Sequence, residues 1–288
     1  MRESILEMQG VTYEYAGGFS ALREVNLRVT RGSRTALLGA NGSGKTTLLA
    51  HLNGTLRPAS GRVVFNNRPV EYSRHGLASL RQKVGLIFQD PDDQLFSARV
   101  YQDVSFGPMN LRMAEADVKQ CVNDALKAME IEELWDRPTH MLSYGQKKRV
   151  AIAGVLAMNP EVVLLDEPTA GLDHDGTEKL IATLDALHTR GTTLLLATHD
   201  IDLAYRWADE VAVVSDGAIV QHGTPEAVLC NAMLVTSAQL NTPLMLEISV
   251  LLRELGGLAE EAPFPRTREE MLTYLRVLVD QRAAGRSL

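Results

Sequence analysis

Apolar and polar positions follow two patterns along this chain. Ile5 to Tyr15, and then Val25, Leu27 and Val29 alternating with Asn26 and Arg28, read as strands with one wet face. The Gly17-Gly18 pair marks a turn, and Arg62 to Phe65, the Asn66-Asn67 turn and Pro69-Val70 suggest a further hairpin. These pieces predict a small antiparallel sheet. Ala36-Leu37-Leu38, Val84 to Phe88, Val162-Val163-Leu164-Leu165 and Thr192 to Thr198 are continuously apolar instead, as strands buried on both faces of a parallel sheet are. From Tyr101 to about Leu156 the strand signal disappears, and Val118, Val122, Ala125, Leu126 and Met129 follow helical spacing until Pro138 breaks it. A further helix is predicted from Lys147 through Met158, stopped by Asn159-Pro160. The core pattern ends after Gly223-Thr224-Pro225-Glu226. Beyond it, Leu244, Leu246, Ile248, Leu251, Leu252 and Leu255 predict one amphipathic helix before Gly256-Gly257, and Leu272, Leu275, Val277, Leu278 and Val279 a second one after Pro263 and Pro265.

Composition narrows the classes open to the chain. Its 288 residues hold a sizeable core, and 36 acidic against 29 basic residues leave a net charge of −7, which argues against a general nucleic-acid binder. Cys121 and Cys230 stand far apart with no partner at metal-ligand spacing, so neither a disulfide framework nor a zinc site is expected. Met1-Arg2-Glu3-Ser4 is not an apolar signal segment, and the longest apolar run, Val150 to Met158, is too short for a bilayer. The expectation is a soluble, cytoplasmic chain whose membrane work, if any, goes through a partner.

Candidate chemistry centres on Gly39-Ala40-Asn41-Gly42-Ser43-Gly44-Lys45-Thr46, the phosphate-binding pattern G-x-x-x-x-G-K-[ST] set between a strand and a helix that begins with Thr47. Glycines let backbone N–H groups approach phosphate closely, the helix start adds a positive dipole end, Lys45 supplies a cation, and the Thr46 hydroxyl is a Mg²⁺ ligand. Asp166 and Glu167 end a buried strand, where acids are costly unless paired or holding a cation. Asp166 matches the acid that positions Mg²⁺, and Glu167, expected to face the opposite way, is placed to polarise the attacking water. Gln89 and His199 also follow buried strands, at the edge where open α/β sheets bind ligands. Gln89 is a candidate for Mg²⁺ or water contact, and His199 for holding the water and the transferring phosphoryl group. Ser143 reads equally as a helix N-cap and as part of an anion site. Tyr15 reads from spacing alone as a core or cross-strand tyrosine.

The order of these motifs resembles the ATP-binding-cassette ATPases, from about Ile5 to Leu229. On that resemblance Gln89 is the Q-loop residue, Leu142 to Gln146 the signature motif, Val163 to Glu167 the Walker B segment, Asp173 part of the D-loop, His199 the switch histidine and Tyr15 the adenine-stacking aromatic. Tyr144 departs from the usual Leu-Ser-Gly-Gly-Gln, with Ser143, Gly145 and Gln146 retained. The implied fold is α/β: a P-loop NTPase cassette with a RecA-like core, an antiparallel β subdomain and a helical subdomain over about 90–160. The implied domains are a nucleotide-binding domain over 1–229 and a small helical appendage over 230–288, the latter packing on the core or on a twin subunit. The implied chemistry is hydrolysis of ATP with Mg²⁺ in a head-to-tail dimer, with a second copy or a sister ATPase. Each phosphate loop then faces the partner's Ser143 and Gly145.

Phe88 to Ala98, with Val100 to Gly107, Tyr72-Ser73-Arg74 and Gly145 to Arg149, is similar to the energy-coupling-factor importers, in particular their cobalt and nickel ATPases. That resemblance implies transmembrane partners, namely a coupling protein docking near Asp92 to Phe96 and a substrate-binding membrane component. It implies no nucleic-acid partner, and a peripheral place on the cytoplasmic face of the membrane. Cobalt is the expected cargo, with nickel or a vitamin as alternatives and a soluble, non-transport ATPase as the rival class.

Overall fold

The computed structural model describes residues 3–283. Met1-Arg2, part of the expected leaderless start, and 284–288, the end of the expected appendage, lie outside the described residues.

Strands β1 (Ser4–Tyr15) and β2 (Phe19–Thr30) form an antiparallel hairpin across the Gly17-Gly18 turn. Strand β3 (Arg34–Leu38) enters a second sheet and runs through the glycine-rich loop into helix α1 (Lys45–Leu52). Strands β4 (Ser60–Phe65) and β5 (Arg68–Pro69) return to the first sheet, giving the order β2-β1-β4-β5. Helix α2 (Arg74–Lys83) leads to β6 (Val84–Ile87), and a helical layer of α3 (Val100–Asn110), α4 (Glu115–Ala128) and α5 (Tyr144–Leu156) follows. The chain then alternates through β7 (Val162–Asp166), α6 (His174–Thr189), β8 (Thr193–Thr198), α7 (Ile201–Trp207) and the hairpin β9 (Glu210–Ser215) and β10 (Ala218–Gly223). The second sheet has the order β10-β9-β3-β8-β7-β6 and is parallel apart from β10.

The continuously apolar strands are explained by two cores, one on each face of that sheet. Leu37, Leu164, Leu195 and Ala212 point into a core shared with α1 and the antiparallel sheet, whereas Leu38, Leu165, Leu196 and Val213 point into a core shared with the helical layer. Alternation persists, but both faces are dry. Register fixes the site: Leu38 pairs with Thr198 and Asp166 with Ala197, so the segments starting at Gly39, Glu167 and His199 leave the sheet at one level.

The tail comprises α8 (Pro225–Leu229), α9 (Ala232–Ser237), α10 (Leu244–Glu254) and α11 (Arg268–Ala283). It packs on its own chain: Val235, Ala238 and Leu246 are buried in the same core as the helical layer. Arg266, just before α11, holds both Glu226 carboxylate oxygens at 2.7 and 2.9 Å and donates to the Ala208 carbonyl.

Candidate functional site

The glycine-rich loop can take only the residues it has at two positions. A Cβ at Gly39 would collide with the Val214 carbonyl oxygen, and one at Gly44, whose φ is 108°, would lie 2.8 Å from the Ala21 carbonyl oxygen. Gly44 is also the N-cap of α1 and offers no side chain to the first-turn N–H groups, which stay free for an anion. The buried Ser43 hydroxyl has no protein partner. Lys45 Nζ donates to the carbonyls of Gly39 (2.7 Å) and Ala40 (3.2 Å) and stands 3.9 Å from Glu167 Oε1. Burial pushes this ammonium below its ordinary pKa, with the Glu167 and Asp166 carboxylates opposing.

Thr46 Oγ1 donates to Asp166 Oδ2 at 2.6 Å. Burial raises the Asp166 carboxyl above its usual range, the Thr46 hydrogen bond works against the rise, and the neighbouring Glu167 charge adds to it. Glu167 corrects an expectation. It was expected to face away from Asp166, yet its backbone is left-handed (φ 43°), which breaks the strand alternation and aims both carboxylates at the loop. Glu167 Oε2 accepts from Thr198 Oγ1 (3.3 Å) and lies 3.0 Å from His199 Nδ1, while the buried Oε1 has no hydrogen-bond partner. An orphaned carboxylate oxygen beside a buried lysine is built for something the protein alone does not supply.

Gln89 completes one wall of a groove of about 360 Å³ that is also lined by Asn41, Gly42, Gly44, Thr46 and Thr47. The structure therefore brings together Gly39 to Thr47, Gln89, Asp166, Glu167 and His199. Tyr15 stands beside this group and donates to, or accepts from, Thr47 Oγ1 at 3.1 Å. Ser143, Gly145, Gln146 and Asp173 stand outside the groove. Ser143 and Gln146 form a reciprocal capping box at the start of α5, and Asp173 caps α6 through the Gly176 N–H at 2.8 Å. Helix α5 consequently starts at Tyr144, earlier than the predicted Lys147. Sequence reasoning missed Phe19, an exposed aromatic on the groove, and Thr198, the hydroxyl that holds Glu167. Phe19 follows the glycine turn beside Tyr15, a signal open to reading; nothing in the sequence marks Thr198.

A phosphate loop, two acids at the end of a neighbouring buried strand and a histidine held against one of them, all on one edge of a mostly parallel sheet, define a P-loop nucleoside-triphosphate hydrolase. The family described as "ABC transporter" matches residues 22–170. The chain is 48% identical to the cobalt import ATP-binding protein CbiO of Rhodobacter capsulatus, over 94% of this chain and 97% of that one. It is 45% identical to the energy-coupling factor transporter ATP-binding protein EcfA3 of Clostridium perfringens, over 89% of this chain and 90% of that one. Among solved structures, cbiO1 of Clostridium perfringens, described as part of the ABC transporter complex cbiONQ, superposes with a TM-score of 0.73 at 44% identity, covering 88% of this chain and 98% of that one. The cassette MJ0796, solved as a dimer in a post-hydrolysis state with ADP and phosphate, gives 0.70 at 28% identity, over 77% of this chain and 99% of that one. The chain belongs to the ABC transporter family of ATP-binding proteins, and its work is ATP hydrolysis coupled to transport.

Proposed function

We propose that this chain is the ATP-hydrolysing subunit of an energy-coupling-factor importer that powers cobalt uptake through separate membrane proteins. The observation that supports the chemistry best is the Glu167 carboxylate, fixed through one oxygen by Thr198 and His199 and left with its other oxygen free beside Lys45. The free Oε1 takes a hydrogen bond from the attacking water and receives its proton as the water oxygen bonds to the γ-phosphorus and the bond to the β–γ bridging oxygen breaks, ADP leaving with that oxygen. Lys45, the Ser43 hydroxyl and the first N–H groups of α1 hold the phosphates, and Tyr15 stacks on the base. His199 orients Glu167.

The donor set also fits Mg²⁺. Thr46 Oγ1 and Asp166 Oδ2 are hard oxygen donors in contact, and Asp166 is a buried carboxylate whose pKa is raised first by that burial. Gln89 would complete the set. The cation, when bound, neutralises charge developing on the transferred group.

Ser143, Gly145 and Gln146 stand outside their own groove. They act on the nucleotide held by a second cassette in a head-to-tail dimer, with Asp173 at the same interface; a twin copy is the simplest partner and a sister ATPase the other. The transmembrane coupling protein docks at the loop from Asp92 to Phe96. There Phe96 is 64% exposed, far more than an aromatic side chain needs to be, and stacks edge-on with the exposed Phe106 at 4.6 Å. No helix among the described residues is long and apolar enough to cross a membrane, which fits a peripheral subunit on the cytoplasmic face. We also keep the boundary between 229 and 230 as the division between cassette and appendage. Nickel or a vitamin is the second reading of the cargo, since the EcfA3 relative carries no cargo in its name.

The experiment is purification of a tagged chain from native membranes in mild detergent, with cobalt and nickel uptake assayed with and without an intact Glu167. Recovery of transmembrane proteins and cobalt uptake that requires Glu167 support the proposal. A chain recovered without membrane proteins, or uptake indifferent to Glu167, rejects it.

A further inference from the structure

Lys148 is the one fully buried lysine among the described residues, with no exposed surface, and the proposed chemistry leaves it without a task. It projects from the second turn of α5. Its Nζ donates to three backbone carbonyls: Gln89 at 2.6 Å, Phe88 at 3.3 Å and Glu167 at 3.4 Å. An ammonium has three donors, so each is used. Burial pushes its pKa down to about 8, with Asp166, Asp90 and Glu167 opposing.

The other bonds between α5 and the Gln89 loop end at that loop. Tyr144 donates to the Gln89 carbonyl at 3.2 Å, Lys147 pairs with Asp92 at 2.6 Å, and Gln94 donates to the Ala151 carbonyl at 3.3 Å. Lys148 alone among these continues to the end of β7. The place it reaches is one that requires support: Glu167 holds a left-handed backbone without being a glycine, its N–H already tied to the Ala197 carbonyl at 2.9 Å. The Glu167 carbonyl accepts from the Ala170 N–H at 3.1 Å and from Lys148 at 3.4 Å, so a local turn and the ammonium together fix the second backbone polar group, and Lys148 ties it to α5.

We propose that Lys148 is a positioning residue: from the helix whose N-terminus serves one nucleotide, its ammonium fixes the backbone of Gln89 and Glu167, which serve the other. The inter-site part rests on the head-to-tail dimer proposed above. One rigid helix then meets the first nucleotide through Ser143 at its cap and, a turn later, bears on the second through the backbone that Lys148 holds, and closure on the first nucleotide sets the geometry of hydrolysis at the second. Small errors matter here, because a misplacement of about 1 Å in a catalytic group costs on the order of 100-fold in rate.

The test is steady-state ATP hydrolysis by the full chain carrying Lys148→Arg, Lys148→Gln or Lys148→Met, with trinitrophenyl-ATP affinity measured alongside. We expect kcat to fall by about 10- to 100-fold in Lys148→Met, less in Lys148→Gln and least in Lys148→Arg, with KM and trinitrophenyl-ATP affinity within about threefold of the parent. The Hill coefficient for ATP should fall from about two toward one as the coupling between sites is lost. Equal kcat in the Arg and Met variants overturns the positioning role, as does a kcat loss matched by an equal loss of nucleotide affinity. Failure of the dimer reading is separate: a Glu167→Gln chain that stays monomeric with ATP in light scattering overturns the coupling between two copies of this chain, and the kcat gradation then decides the positioning role by itself.

Discussion

At the residue scale, the proposed chemistry rests mostly on Glu167. Glu167→Gln keeps the size and the contacts of the side chain but loses the basic oxygen, so turnover should fall by about 10²- to 10⁴-fold while ATP still binds. ATP-dependent dimers that persist on size exclusion would accompany that loss, and unchanged turnover would remove Glu167 from the reaction. Lys45→Ala removes the buried cation beside the loop; the expected result is a loss of ATP affinity itself, read by equilibrium binding. That these residues would gather at one sheet edge was legible in the sequence, because G-x-x-x-x-G-K-[ST] and a buried strand ending in Asp-Glu each need a ligand to make physical sense. The direction of Glu167 was not legible. Strand periodicity puts neighbours on opposite faces, and a left-handed φ at a glutamate is held by its surroundings: the Ala170 N–H in the turn that follows, and Lys148, Ala197 and Thr198 from elsewhere in the chain.

Elements bring a different kind of information. The Ser143–Gln146 box gives α5 its first turn, and Ser143→Ala should cost about 1 kcal/mol of stability. That corresponds to a melting temperature lower by about 2–4 °C, checked by calorimetry. The box also explains why the helix begins at Tyr144: the cap, not the first basic residue, sets the start. Strand β3 is fastened to β9 by Arg34, whose guanidinium and backbone N–H grip Asp209 at 2.9 to 3.4 Å. Burial would raise the Asp209 carboxyl, but the Arg34 hydrogen bonds and charge hold it below its ordinary value. A carboxyl depressed in the folded state stabilises above its unfolded pKa and loses that contribution as pH falls through the folded one. The melting-temperature gap between the parent and Asp209→Asn should therefore be present at pH 7 and close as pH falls below the carboxyl's ordinary range. The Arg34–Asp209 pairing was out of reach of sequence pattern, since period-2 and period-3.6 signals report which face is buried, not which strands become neighbours.

For the whole molecule, the tail was the least legible part. Two amphipathic helices after a glycine-proline stretch fit packing on the same chain as well as on a twin; the burial of Leu246 and its neighbours shows contact with the same chain, while Leu251, Leu255 and Val279 stay exposed. Leu246→Ala should cost about 2–5 kcal/mol, a core-sized loss, measured by urea denaturation. A cost below about 0.5 kcal/mol, as at a surface site, would return the tail to the status of a loose appendage. Docking is the other property of this scale. Replacing Phe96 and Phe106 by serine should leave basal ATP hydrolysis unchanged and reduce co-purification with membrane proteins.

The margins of the antiparallel sheet have one more consequence. Strand β5 is two residues long and ends in Pro69, which has no N–H to offer a further strand, and at the opposite margin the Arg23 N–H of β2 is already taken by the Gly217 carbonyl. The β5 side is no template, and the β2 side is interrupted at Arg23. A subunit made apart from its membrane partners has to wait for them at whatever concentration synthesis produces. Blunt margins let it wait without recruiting its own copies edge to edge into aggregates.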